Sequence, residues 1–273
     1  MSTNVGMGEC CLSGHINEGK PVGREDQIGG LPVYVSEPKG GSKTRSLIFI
    51  TDIFGWEVPN VRLLADEYAK AGFYCYVPDV LNGDPLPTSF LDNVEPNVKT
   101  QESLSVTDKA KNAAIVPATL GTWLPKHTEG VTKPLIDGFI NTVRMTPGTN
   151  KIGAIGFCWG GRYAILEAHG QKKDGGGSDI GGVDAAMACH PSLVAVPGDF
   201  DPVSVPLSLA VGTKDSLLDQ ATVGKIQDLM AKKIYEDQIH GFAIRSDWSN
   251  EKEKKAMDET LQQGIEWFNK YLS

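Results

Sequence analysis

The chain has 273 residues, of which 40% are hydrophobic and 22% are charged. That length lies between one large domain and two small ones, and the composition is typical of a globular protein with a sizeable core. The 34 acidic residues outnumber the 26 basic ones and give a formal net charge of −8. This charge argues against nucleic acid or an anionic membrane as the main partner.

No segment of the sequence has the features of a membrane span or a secretory leader. The longest apolar stretches, within 47–54 and 205–211, are far shorter than the roughly 20 residues that a bilayer requires. Cysteines are sparse and odd in number, as in proteins of a reducing compartment. They occupy positions 10, 11, 75, 158 and 189. We therefore expect a cytoplasmic protein without a membrane partner.

The first part of the chain predicts an arm followed by a strand–helix–strand unit. Residues 1–30 are rich in glycine and show little periodicity, so we interpret them as an N-terminal arm packed on a single domain of residues 31–273. Strands are predicted at 31–36, 46–51 and 73–77, and a helix after Pro59 ends at Gly72. The strand at 46–51 is apolar on both faces, which is typical of a buried parallel sheet.

The stretch from 78 to 134 is polar, rich in Pro, Asn and Thr, and lacks a convincing strand. A bare loop of this length is uncommon inside a compact domain. We predict an inserted segment of about 84–135 with one or two short helices.

The alternation of strands and helices then resumes. Strands are predicted at 151–156, 183–189 and 205–212, and helices at 159–168, 221–232 and about 251–271. The sequence therefore predicts an α/β fold with a mostly parallel central sheet and helices on both faces.

The most informative motif is Gly-x-Cys-x-Gly around Cys158, between a predicted buried strand and a predicted helix. This is the context of a nucleophile elbow, in which glycines leave room where strand and helix cross. A helix N-terminus favours a thiolate and offers backbone N–H groups to an oxyanion. The composition alone would give about 0.06 such matches. A buried structural cysteine is the alternative interpretation.

A cysteine nucleophile needs a base, and three histidines follow Cys158 in the chain. His169 closes the elbow helix and faces away from the turn. His190 ends a strand in a His-Pro-Ser sequence, where it has a structural role or lies near the site. His240 stands in a polar loop before a glycine, which suits a base. A solvated loop histidine is the alternative for His240.

The acid of the predicted triad is Asp215, which follows the strand at 205–212 and so lies at the same sheet edge as the elbow. We therefore predict a triad of Cys158, Asp215 and His240. The backbone N–H groups of Ile53 and Trp159 are the predicted oxyanion donors, each contributing about 3–4 kcal/mol to transition-state stabilisation.

Five motifs stand out along the chain: Ile-Phe-Gly at 53–55, Val-Pro-Asp at 77–79, Gly-Phe-Cys-Trp-Gly-Gly at 156–161, His-Pro-Ser at 190–192 and His-Gly-Phe at 240–242. Together they resemble the dienelactone hydrolase family, also called carboxymethylenebutenolidases. The Cys-Cys-Leu-Ser-Gly sequence at 10–14 is similar to the start of its longer eukaryotic branch. The resemblance implies the α/β-hydrolase fold and a cysteine triad.

The resemblance also identifies supporting residues, and the sequence departs from the pattern of the bacterial members in two respects. A glutamate that pairs with the resting cysteine there corresponds to Asp52 here, which is one methylene shorter. Two arginines hold the substrate carboxylate there. Arg245 corresponds to one of them, and no arginine between Arg62 and Arg144 can supply the other. We therefore expect neutral esters or lactones to be accepted at least as well as anionic ones.

These observations predict a cysteine-dependent hydrolase of a lactone or small carboxylic ester, acting through an acyl-thioester. No metal and no cofactor are expected, because metal-ligand spacings and nicotinamide fingerprints do not occur in the sequence. The alternative is a catalytically quiet protein of the same fold that binds a small ligand or partner. A third hypothesis is a thiol-redox role for Cys10 and Cys11.

Overall fold

The computed structural model describes residues 3–4, 7, 14–93, 117–170, 172–173, 179–218, 220–226 and 231–273. Eight strands of these ranges pair into one sheet. They are β1 Arg24–Ile28, β2 Leu31–Ser36, β3 Arg45–Ile50, β4 Tyr74–Pro78, β5 Lys151–Phe157, β6 Ala185–Cys189, β7 Leu207–Gly212 and β8 Ala231–Tyr235. Their order across the sheet is β8-β7-β6-β5-β3-β4-β2-β1. Strands β3 to β8 are mutually parallel, and β1 and β2 pair antiparallel at one edge.

Helices cover both faces of the sheet. They include α1 Pro59–Lys70, α2 Glu129–Met145, α3 Trp159–Glu167, α4 Gln220–Ile226 and α5 Glu251–Tyr271. Alternate residues of β3 point to opposite layers, Leu47 and Phe49 into the core under α1 and α5, and Ile48 and Ile50 into the core under α2, α3 and α4. The predicted fold class, a mostly parallel sheet between two helical layers, is confirmed.

The prediction of an insertion at about 84–135 extends too far along the chain. Its described residues contain short helices at Ser89–Asn93, at 117–123 and at Leu124–Lys126. However, α2 begins at Glu129, and Pro134 lies inside it. Proline disfavours a helix interior, which hid this helix in the sequence. Its stripe of apolar residues is buried against the sheet, so packing outweighs local propensity.

Two further segments differ from the prediction. Within the described residues, the predicted helix at 221–232 is represented by Gln220–Ile226, and Ala231–Tyr235 forms strand β8, which pairs with β7. Residues 24–28, assigned to the arm, form the edge strand β1. Four residues of β1 are exposed and polar, because an edge strand pairs on one side only. Neither strand therefore carries the apolar run by which buried strands are recognised.

Glu167, near the C-terminus of α3, is a fully buried carboxylate. Its Oε1 lies 2.8 Å from Lys133 Nζ, and its Oε2 accepts a hydrogen bond of 2.8 Å from the Gly182 N–H. Asp137 also binds Lys133. Burial raises the pKa of Glu167 to about 7, although the nearby Lys133 opposes this change.

We expect this carboxyl to make the protein less stable as the pH rises. Because its pKa is higher in the folded chain, folding takes up a proton, and the free energy of unfolding falls between about pH 4.5 and 7. Glu167→Gln cannot ionise, so its stability relative to wild type should increase over that interval. Urea unfolding at about pH 5 and about pH 7.5 measures the difference. Glu129→Gln, at an exposed position, is the control. If the stability of Glu167→Gln relative to wild type is the same at both pH values, the raised pKa of Glu167 is contradicted.

Candidate active site

Cys158 lies in the sharp turn between β5 and α3. Its φ of 52° is rare for a residue with a side chain. The Cys158 N–H donates to the Cys189 carbonyl at 3.1 Å, and the Cys158 carbonyl accepts from the Ser192 N–H at 3.0 Å. The end of β6 and the loop after it therefore hold both sides of the strained residue.

Two glycines allow α3 to approach the sheet closely. A Cβ on Gly156 would overlap with the carbonyl oxygen of Gly160, and a Cβ on Gly160 would overlap with the carbonyl oxygen of Ile50 at the end of β3. The N-terminus of α3 consequently packs against the carboxyl end of β3. The two candidate backbone donors belong to the segments that meet there, since Ile53 follows β3 and Trp159 begins α3.

Asp215 and His240 form a buried pair. His240 Nδ1 lies 3.1 Å from Asp215 Oδ2, and both side chains are completely shielded from solvent. The other carboxylate oxygen of Asp215 accepts hydrogen bonds from the N–H groups of Leu217 at 2.9 Å and Leu218 at 3.4 Å. These bonds fix the carboxylate after β7, so the acid can hold the imidazole in one orientation.

His190 lies between the turn and this pair. Its Nδ1 accepts a hydrogen bond of 3.2 Å from the Cys158 N–H, and its ring centroid is 5.0 Å from that of His240. Burial lowers the pKa of His190 well below its usual value, and the charges of His240 and Arg245 add to this effect. The ring is therefore neutral near pH 7, with its hydrogen assigned to Nε2 because Nδ1 is the acceptor. His190 thus accepts a hydrogen bond from the backbone of Cys158 and packs against the ring of His240.

Asp52 and Arg245 form a buried ion pair beside the turn. Asp52 Oδ2 accepts a hydrogen bond from Arg245 Nη1, and Oδ1 accepts one of 3.0 Å from the Phe54 N–H. Burial raises the pKa of Asp52, and Arg245 opposes that change. The charge of Cys158 also contributes to raising this pKa, so the carboxylate and the sulfur interact electrostatically. All the predicted supporting residues thus lie around Cys158 or His240.

The sequence analysis missed three contributions to this region. Part of the arm packs on Arg245, since the His15 N–H donates to the Arg245 carbonyl at 2.9 Å. Trp123 stacks on His127 and packs edge-on against Trp159, with ring centroids 3.9 Å and 5.6 Å away respectively, so these aromatic rings cluster at the start of α3. Ser192 places its Oγ 3.8 Å from Cys158 Sγ. Only the His-Pro-Ser motif could have indicated one of them.

The described ranges can also be searched for metal-ligand clusters and membrane-spanning helices. They contain no group of three or more His, Cys, Asp or Glu residues that could hold a metal ion. None of their helices combines the length and apolar character needed to cross a bilayer. Cys10 and Cys11, which carry the thiol-redox hypothesis, lie outside the described residues.

Known proteins are similar to this chain in sequence and in fold. The dienelactone hydrolase family model matches residues 31–272. Hydrolase pyvD of Aspergillus violaceofuscus is 28% identical over 277 residues, with 99% of each chain covered. The carboxymethylenebutenolidase homolog of Mus musculus is also 28% identical, with 96% of each chain covered. The crystal structure of dienelactone hydrolase from Anabaena variabilis has a TM-score of 0.58 at 17% identity and covers 93% of this chain and 99% of its own. The chain therefore has the α/β-hydrolase fold and belongs to the dienelactone hydrolase family.

Proposed function

We propose that this family member hydrolyses a lactone or small carboxylic ester through an acyl-thioester on Cys158. The observation that carries the proposal is the buried Asp215–His240 pair, which lies one imidazole ring away from the strained turn at Cys158. A cysteine at a helix N-terminus, a histidine and a carboxylate that orients it are the groups that nucleophilic acyl transfer requires.

The reaction has two halves, and protons balance in each. His240 Nε2 takes the thiol proton, and the thiolate adds to the carbonyl carbon of the substrate. The tetrahedral intermediate collapses to a thioester while His240 returns the proton to the departing alkoxide. Water then loses a proton to His240 and adds to the thioester. Collapse releases the acid and returns the proton to the thiolate of Cys158.

Asp215 and the backbone donors have separate tasks in this scheme. The His240 Nδ1–H donates to Asp215, so Nε2 keeps the lone pair that accepts the thiol proton. The N–H groups of Ile53 and Trp159 bind the oxyanion of each tetrahedral intermediate. They belong to rigid segments packed against each other, which suits donors that must be in place before charge develops.

The buried ion pair of Asp52 and Arg245 affects which substrate charge the site prefers. The carboxylate of Asp52 already neutralises Arg245, so this arginine offers no uncompensated positive charge to an anionic substrate. We therefore propose that the site takes neutral esters or lactones at least as readily as anionic ones.

We expect a neutral ester to have a kcat/KM equal to or higher than that of an anionic ester of the same size. A single charge-assisted contact would instead favour the anion by about ten-fold or more. The measurement is the ratio of the two kcat/KM values for wild type and for Arg245→Gln. Loss of folded enzyme cancels in that ratio, so a variant weakened by an unpaired Asp52 remains informative. A strong preference for the anion that disappears in Arg245→Gln would contradict this specificity.

Three further proposals follow for the whole chain. The family match from residue 31 to 272 supports a single hydrolase domain of 31–273, with residues 1–30 as an arm that contributes β1 and packs beside Arg245. The described cysteines, at 75, 158 and 189, form no disulfide, which supports a cytoplasmic setting. The partner proposed is a small ester or lactone, and the negative net charge argues against nucleic acid.

The proposed function is tested with p-nitrophenyl esters, lactones and thioesters of graded acyl length. A burst of nitrophenol followed by steady turnover is expected if a thioester accumulates. Intact-protein mass spectrometry of quenched samples should then show one acyl group, mapped by peptide digestion to Cys158. A protein that binds these compounds without turnover or adduct would instead be the catalytically quiet alternative.

A further inference from the structure

We propose that Ser192 is a further catalytic residue, whose hydroxyl donates a hydrogen bond to the Cys158 sulfur while that sulfur is a thiolate. The inference rests on the proposed function, in which Cys158 is the nucleophile. It assigns to Ser192 the task of stabilising the charge that the sulfur carries before it attacks the substrate.

The geometry places the hydroxyl beside the reacting atom and keeps it there. Ser192 Oγ lies 3.8 Å from Cys158 Sγ, and both residues are fully buried. The Ser192 N–H donates to the Cys158 carbonyl at 3.0 Å. A Cβ on Gly161 would lie only 2.9 Å from Pro191 Cα, so this loop packs tightly against the first turn of α3. The backbone on both sides of the contact is therefore held in place, and the hydroxyl hydrogen can rotate about the Cβ–Oγ bond.

Ser192 adds a neutral donor to the charged and titratable groups around the sulfur. The carboxylate of Asp52 has no hydrogen to donate, and its two oxygens are engaged by Arg245 and by the Phe54 N–H. The N–H hydrogen of the neutral His190 ring is assigned to Nε2, because Nδ1 accepts from the Cys158 N–H. His240 becomes a cation when it takes the thiol proton. Ser192 supplies a donor that can turn toward the buried sulfur.

Protons remain balanced in this arrangement. The thiol proton moves to His240 Nε2, and Ser192 keeps its own proton throughout, so no covalent bond to serine forms or breaks. Before deprotonation the hydroxyl oxygen can accept the S–H, and afterwards the O–H rotates to donate to the sulfur. The contact is strongest for the thiolate and weakens once the sulfur becomes part of a thioester, because the negative charge is then gone.

The test is the pH dependence of Cys158 alkylation by iodoacetamide in wild type and Ser192→Ala, with the modified peptide identified by mass spectrometry. This substitution removes the hydroxyl but keeps the N–H that binds the Cys158 carbonyl. We expect the midpoint of the alkylation profile to move upward by about one to two pH units. The rate at neutral pH should fall about three- to ten-fold. The plateau at high pH should rise a few-fold, because a less stabilised thiolate is intrinsically more reactive.

Ser208→Ala is the matched control, because Ser208 is also a buried serine but binds Gln263 on α5. Its alkylation profile should coincide with that of wild type. If Ser192→Ala lacks a cooperative unfolding transition, Ser192→Gly gives the same comparison. An unchanged midpoint, or faster alkylation at neutral pH, overturns the proposal. Wild-type ester turnover by Cys158→Ala would instead reject the proposed function, while the alkylation profiles would still report on the contact with Ser192.

Discussion

Cys158→Ala is expected to lower kcat/KM for ester hydrolysis at least about a thousand-fold. Without the sulfur no thioester can form, and water must attack the ester directly. The remaining backbone donors and substrate binding then provide only weak catalysis. Steady-state kinetics with a p-nitrophenyl ester measures the loss, and the variant should also give neither a burst nor an acyl adduct.

The control for this substitution is Cys75→Ala, because Cys75 is an equally buried cysteine on β4. It should retain its turnover, and any loss of stability from the small cavity appears separately in thermal unfolding. Full activity in Cys158→Ala would exclude the acyl-thioester mechanism.

Asp215→Asn is expected to reduce kcat by about 10³–10⁴ while leaving the fold intact. The asparagine amide would donate to His240 Nδ1 and would leave the ring hydrogen on Nε2, where it blocks acceptance of the thiol proton. His240→Ala removes the base altogether and should lower the rate by a similar amount. Kinetics over a range of pH provide the measurement, since raising the pH should partly restore activity by deprotonating the thiol without the base.

Asp199→Asn is the matched control. Asp199 follows β6 in the chain and, like Asp215, is buried, but it binds Arg162 and the Ala195 N–H. Its substitution should alter stability without changing the pH profile of turnover. Wild-type kcat in Asp215→Asn would mean that His240 is oriented by another group.

Local signals account for the parts of the fold that the sequence predicts well. Strand β3 is apolar on both faces, and α5 carries a continuous apolar stripe, so each is recognisable alone. The glycines around Cys158 likewise indicate, from the sequence alone, that a strand and a helix cross closely there. Helix α2 is hidden by Pro134, and β8 by its lysines, because packing against the sheet decides both.

In the candidate site too, local sequence indicates some residues, whereas other contacts depend on the fold. Asp215 is indicated by its place at a strand end, and its pairing with His240 spans only 25 residues. The ion pair between Asp52 and Arg245 joins residues 193 positions apart, so nothing in either neighbourhood specifies it. Ser192 contacts the sulfur only because β6 lies next to β5, a consequence of strand order and not of any local pattern.

The contact between the arm and the region of Arg245 sets a limit on how this chain folds during synthesis. The Asn17 side-chain amide donates to the Ser246 carbonyl, a partner 229 residues away, and Asn60 donates to the carbonyls of His15 and Ile244. At about 5–20 residues per second, the ribosome needs on the order of 10–50 s to make the intervening chain. During that interval the arm lacks its contacts with Arg245 and Ser246, and Cys158 is made before His240. In the proposed mechanism the thiol of a nascent chain therefore has no histidine to take its proton until residue 240 has been made, which confines hydrolysis by this mechanism to a nearly complete chain.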